Sequence, residues 1–126
     1  MGARRPTSER RLIVLIALFR LEELADGCSR GLDPRQSGKD TLFALRNGGE
    51  VQLYRNSCPH LDVPLQYRKD RYMSADGSKI ICYAHGAQFL PQNGLCVYGP
   101  CIGERLTAVP WIEKGGWMMV DEAALA

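Results

Sequence analysis

Histidine is scarce in this chain of 126 residues, which has only His60 and His85. A mononuclear iron site built from two histidines and a carboxylate would consume both of them. No Gly-x-Gly-x-x-Gly run is present to cradle a dinucleotide, and the length leaves no room for a flavin domain. The chain is therefore not expected to reduce itself from a nicotinamide. Long apolar runs are missing too: Leu12 to Phe19 is far shorter than the roughly 20 residues of a membrane-spanning helix and reads better as a strand. An excess of charge of one sign is nearly absent, since 16 Lys and Arg stand against 14 Asp and Glu for a formal +2. That balance gives no nucleic-acid footprint.

What is present describes a globular protein. Hydrophobic residues make up 45% and charged residues 24% of the chain, and the length suits one domain spanning 1–126. Four of the basic residues, Arg4, Arg5, Arg10 and Arg11, fall in residues 1–11, which read as a flexible basic tail. Arg20, Glu22 and Glu23 directly follow the apolar run where an export signal would carry small residues for cleavage, so a cytoplasmic location is expected. Five cysteines are an odd number, which does not suit a secreted disulfide framework.

Short β-like runs alternate with turn signals, at Leu12 to Phe19, Thr41 to Arg46, Val51 to Arg55, Lys79 to Tyr83, Gly94 to Tyr98, Arg105 to Ile112 and Gly116 to Val120. Asn47-Gly48, Asp76-Gly77 and Asn93-Gly94 supply the positive-φ residues of tight hairpins. Leu21 to Ala25 reads as a single helical turn, and Asp26 to Asp40, rich in Gly, Ser, Pro and charge, as a long surface loop. The pattern is all-β, an antiparallel sandwich or small barrel without internal repeat.

Two Cys/His pairs stand out, Cys58-Pro59-His60 and Cys82-Tyr83-Ala84-His85, with 21 residues between His60 and Cys82. Thiolates are soft, strongly donating ligands for ferric iron, whereas a neutral imidazole binds through one nitrogen and keeps the other for protons. Pro59 and Gly86 are placed to shape turns whose amides are free to face sulfur. Zinc could use the same four side chains, although its thiolate pairs usually come as Cys-x-x-Cys. Ordinary buried cysteines beside surface histidines are a further reading. Cys28, Cys96 and Cys101 read as packed or exposed thiols, and Cys96 and Cys101 are near enough in sequence for a disulfide if their Cα separation allows it.

Cys58-x-His60 with Cys82-x-x-His85-Gly86 resembles the Rieske ferredoxins. Arg20-Leu-Glu-Glu-Leu24 looks like the turn after that family's first strand, and Pro64-Leu65 and Gly86-Ala87-x-Phe89 look like its ligand-loop segments. Gly99-Pro100 is similar to its proline loop, which covers the cluster from a third side. The resemblance implies a Rieske-like antiparallel β-sandwich carrying a small cluster-binding subdomain, at about 56–101, made of two ligand loops. It implies one [2Fe-2S] cluster per chain, with Cys58 and Cys82 on the buried iron and His60 and His85 on the outer one. It also implies a soluble one-electron carrier, not an enzyme with its own substrate site, working between a flavin-dependent reductase and an oxygenase or other acceptor. A small Rieske subunit of a larger oxidoreductase complex, or a redox sensor, is the alternative.

Departures from the pattern carry expectations of their own. The positions that hold a loop-to-loop disulfide in the cytochrome bc-type proteins look like Val63 and Ala84 here. Where that group has a Ser and a Tyr donating to cluster sulfur, this chain has Ala87 and Phe89. Fewer donors stabilise the reduced, more negative cluster less, so the potential is expected toward the lower end of a Rieske range of about -150 to +300 mV. The potential is also expected to fall with pH once the oxidised form loses a proton. A docking patch is expected at His60 and His85, rimmed by Leu61, Val63 and Pro64, while Arg68, Lys69, Asp70 and Arg71 read as a solvated run.

Overall fold

Leu42, Phe43, Ala44 and Leu45 follow one another without the polar alternation of a strand that faces water on one side. The computed structural model, which describes residues 12–125, shows why: all four are buried, at 1% exposure or less. Leu42 and Ala44 enter one core beside Phe19, Leu53, Met118 and Val120. Phe43 and Leu45 point the opposite way, into a second core with Tyr54, Tyr72, Ile80 and Phe89. Their strand is a shared wall between two cores, and each large side chain buried there contributes roughly 1.5–3 kcal/mol.

In chain order the strands are β1 (Leu15–Arg20), β2 (Ser29–Leu32), β3 (Leu42–Asn47), β4 (Glu50–Arg55), β5 (Ile80–Cys82), β6 (Ala87–Phe89), β7 (Cys96–Tyr98), β8 (Ile112–Lys114) and β9 (Trp117–Asp121). They form three antiparallel sheets of three strands, ordered β1-β9-β8, β2-β3-β4 and β5-β6-β7. The β2-β3-β4 sheet packs on the terminal sheet through one face and on β5-β6-β7 through the other. Phe43 stacks on Tyr72 at 4.3 Å between centroids, tying the middle sheet to the segment that leads into β5. The expected all-β antiparallel sandwich is therefore present, with β5-β6-β7 and the loops around it as the smaller part.

Several local expectations need correction. Asp26 to Asp40 is not all loop, since Ser29–Leu32 forms β2 on the edge of β3. Its partners are distant in sequence: the Gly31 amide donates to Asp70 Oδ1 at 2.7 Å, and Gly31 lies against the Asp40 carboxylate. Arg105 to Ile112 is mostly not a strand; it touches the sheets through single bridges, Leu95 with Arg105 and Tyr54 with Ala108, and Pro110 lies just before the strand that begins at Ile112. Ala87–Phe89, three residues between turns, is a strand that local pattern did not reveal. Asp76-Gly77 does not join two strands of one hairpin but closes a loop bridged by Met73 and Ile80. The β3-β4 hairpin turns on Gly48 and Gly49, both at positive φ, with Asn47 paired to Glu50. The helical turn is Leu21–Glu23, a 3-10 turn. The basic tail, residues 1–11, lies outside the described residues. Among the described residues, no helix is long and apolar enough to cross a membrane.

Candidate metal centre

The first Cys/His pair lies where the chain leaves β4. Cys58 donates its amide to Val63 O at 2.8 Å and accepts from Asp62 N at 2.7 Å, which curls residues 58–63 into a tight turn with Asp62 at φ +54°. The Ser57 hydroxyl bonds the Asp62 carboxylate across the base of that turn. Cys58 is fully buried at the foot and His60 is exposed at the tip.

The second pair occupies the β5-β6 hairpin. Cys82 pairs with Ala87, and the Cys82 carbonyl accepts from both His85 N at 3.3 Å and Gly86 N at 2.7 Å. Gly86 sits at φ +74°, a conformation that a side chain disfavours, and it lets the turn close immediately after His85. The turn brings His85 Nδ1 to 3.7 Å from Cys82 Sγ. Cys82 is buried and His85 half-buried.

The two turns meet. The ligand atoms of Cys58, Cys82 and His85 all lie within 4.8 Å of one another. The His60 ring stands edge-on to that of His85, 5.2 Å between centroids. All four residues singled out from sequence are thus gathered in one place, sulfurs inward and imidazoles outward. Burial pushes the Cys82 thiol up, and the neighbouring Cys58 sulfur adds to it. Two sulfurs facing each other away from water do not readily carry two negative charges. A metal between them supplies the missing positive charge, and soft sulfur with imidazole is the donor set of iron–sulfur chemistry. On these grounds the residues fit a mixed Cys/His iron–sulfur cluster.

The support beneath the turns was not legible in the sequence. Asn56 is the only polar residue among the described ones that is buried outright. Its Oδ1 accepts from Leu65 N at 2.9 Å, while Nδ2 donates to Asp40 O at 2.7 Å, Gln66 Oε1 at 2.8 Å and Tyr72 OH at 3.2 Å. One side chain therefore pins both ends of the first loop. The loops are joined to each other without a disulfide, by Tyr83 N donating to Leu65 O at 3.0 Å. Tyr83 also packs on Tyr67, and its hydroxyl donates to Met73 O at 3.0 Å. Val63 and Ala84 stand where the resemblance places a disulfide, and neither can supply a sulfur.

Around the site, Leu61 is 56% exposed and Pro64 is exposed, while Val63 packs against the core. The basic run is solvated as expected, with Arg68, Lys69 and Arg71 exposed, and it also makes surface contacts. Lys69 Nζ lies 2.8 Å from Asp40, Asp70 receives the Gly31 amide, and Arg68 covers the Tyr67 ring at 4.8 Å. Cys28 is exposed, whereas Cys96 and Cys101 are buried in the same core as Cys58 and Cys82. Burial and the adjacent Cys96 push the Cys101 thiol up to about 12.

Fold and site together define a small all-β protein with a mixed Cys/His redox-metal centre. Residues 16–112 match the Rieske [2Fe-2S] domain family, and the chain belongs to that family. Its cofactor is accordingly a [2Fe-2S] cluster. No curated protein matches the sequence. Among solved structures, the Sphingomonas yanoikuyae B1 ferredoxin is similar at 24% identity and TM-score 0.65, over 84% of this chain and 96% of that one. The ferredoxin of carbazole 1,9a-dioxygenase from Nocardioides aromaticivorans IC177 is similar at 21% identity and TM-score 0.64, over 85% and 96%. A chain from the complex of reduced oxygenase and oxidized ferredoxin in carbazole 1,9a-dioxygenase gives 21% identity and TM-score 0.66, over 87% and 94%. At these identities the likeness is one of fold.

Proposed function

We propose that this protein is a one-electron carrier whose cluster is held by Cys58, His60, Cys82 and His85. The convergence of three ligand atoms within 4.8 Å, with the His60 ring beside His85, carries the reading. When bound, a [2Fe-2S] cluster supplies a reversible one-electron couple. Buried Cys58 and Cys82 hold the inner iron, and His60 and His85 the outer one. Neutral imidazoles in place of two further thiolates leave the oxidised site with no net charge instead of minus two, which eases entry of an electron. His60 is the exposed ligand, so it offers the short path to a partner.

Electrons pass from a flavin-dependent reductase to an oxygenase or another acceptor; for the acceptor side, a complex of oxygenase and ferredoxin is among the similar structures. Both histidines serve the cluster in this reading and leave none for a mononuclear iron site of two histidines and a carboxylate, so the chain is read as a carrier without a substrate site of its own. It is one domain, with residues about 56–101 as its cluster-binding part. A cytoplasmic location goes with this reading.

Anaerobically purified protein tests the reading. Two irons and two inorganic sulfides per chain are expected, and both fall away in Cys58→Ser and Cys82→Ser. His60→Cys adds a negative ligand and is expected to lower the potential in voltammetry. Colourless protein, or zinc in place of iron, refutes the assignment. Stopped-flow mixing with an oxygenase then tests the carrier role, and reoxidation that no acceptor accelerates would refute it.

A further inference from the structure

Cys96 and Cys101 have no task in the proposed function. Cys96 opens β7 opposite Phe89, and Cys101 follows the Gly99-Pro100 turn. Both are 1% exposed, and the Cys101 thiol donates to Cys96 Sγ at 3.0 Å. The backbone on either side is fixed: Cys96 N donates to Glu104 O at 2.8 Å, Gly103 N to Cys96 O at 3.1 Å, and Glu104 N to Cys101 O at 2.9 Å. We propose that Cys96 and Cys101 form a reversible disulfide that clasps the Gly99-Pro100 turn against the strand following His85, with hydrogen peroxide as the oxidant.

A disulfide needs its sulfurs at about 2.05 Å, so closure asks for roughly 1 Å of approach between side chains already facing each other. Two S–H bonds break and one S–S bond forms. The two electrons and two protons released go to the peroxide, which becomes two waters. Burial selects the oxidant and slows it: a protein disulfide has no access to sulfurs 1% exposed, whereas a small neutral molecule can diffuse inward, and the raised Cys101 thiol leaves little thiolate, so oxidation is expected to be slow.

The turn closed by this bond rests on the second ligand loop. A Cβ built on Gly99 falls 2.8 Å from Ala87 Cα and 3.3 Å from Ala87 N, so the two backbones touch. Ala87 is two residues beyond His85. Linking Cys96 to Cys101 limits how far the turn can lift from that strand, and so how far the second ligand loop can be exposed to water and chelators. The bond stands on the thiol geometry alone; its effect on cluster retention rests on the proposed function.

Holoprotein carrying Cys28→Ser, which removes the exposed thiol, is exposed to peroxide or kept reduced. It is then denatured, alkylated with N-ethylmaleimide, digested and weighed. The expected result after peroxide is a peptide joining Cys96 to Cys101 that dithiothreitol releases. Under a chelator, the visible absorbance of the peroxide-treated holoprotein is expected to bleach more slowly than that of the reduced form, by about threefold or more. Full alkylation of Cys96 and Cys101 after peroxide, or a cross-link through Cys58 or Cys82 instead, overturns the bond, and equal bleaching in the two states overturns its effect on cluster retention. The peptide masses decide the bond whether or not the protein is coloured, so failure of the cluster assignment is seen separately.

Discussion

Replacing Asn56 with alanine removes the one buried polar side chain that spans the base of the first ligand loop. Leu65 N, buried and satisfied only through Asn56 Oδ1 in the described structure, loses its acceptor, which costs about 1–3 kcal/mol. The Asp40 carbonyl and Gln66 each lose a donor, but both lie nearer to solvent and recover part of the loss, leaving about 0.5–1.5 kcal/mol each. The total is about 2–6 kcal/mol. In urea, with a slope of about 1–3 kcal/mol per molar, a loss of about 3 kcal/mol moves the midpoint down by roughly 1–3 M. Asn56→Asp separates the two halves of the effect. It keeps an acceptor for Leu65 N but turns negative oxygen toward Asp40 O and Gln66 Oε1, so it is expected to destabilise as well. A cluster anchored by that loop is also expected to bleach faster in both variants. Denaturation midpoints within about 0.3 M of wild type for Asn56→Ala would refute the idea that this side chain holds the loop.

Tyr54 is buried with its hydroxyl on Pro91 O at 2.7 Å, and burial pushes its pKa up from 10 to about 12. A folded-state value above the unfolded one gives stability that is complete below pH 10 and lost as pH rises toward 12, by about 2–3 kcal/mol, as urea titrations across that window should show. Tyr72 is also raised, by burial first and then by Asp40 and Asp70, so Tyr54→Phe should flatten the alkaline loss without abolishing it. An unchanged slope in Tyr54→Phe would refute the assignment. Gly99→Ala sets a Cβ at φ +102° against the Ala87 backbone and is expected to cost about 1–3 kcal/mol in thermal or urea unfolding; a neutral outcome would deny the close approach. With Ala87 and Phe89 offering no side-chain donor to cluster sulfur, protein-film voltammetry should find a potential in the lower part of the Rieske range of about -150 to +300 mV. A value near the top would refute that expectation.

Ligand chemistry and turn chemistry were legible in the sequence because both depend on residue type at short spacing. Cys58-x-His60 and Cys82-x-x-His85 name soft and imidazole donors directly, and Gly86 and Gly94 mark turns that need positive φ. The β3 run was visible for the same reason, although nothing local said that it separates two cores. Strand β2 was hidden among Gly, Ser and charged residues because what holds it is distant: β3 on one side, and Asp40, Asp70 and Tyr72 packed around Gly31. Asn56 gave no signal either, since its value lies in four partners between 9 and 16 residues away. The meeting of two ligand turns separated by 21 residues, and the 3.0 Å approach of Cys96 to Cys101, likewise belong to the tertiary structure. Sequence by itself determined which atoms are able to bind or react, because that is a property of each side chain. Only the packed chain decided which of those atoms face one another, because that depends on burial and pairing summed over the whole fold.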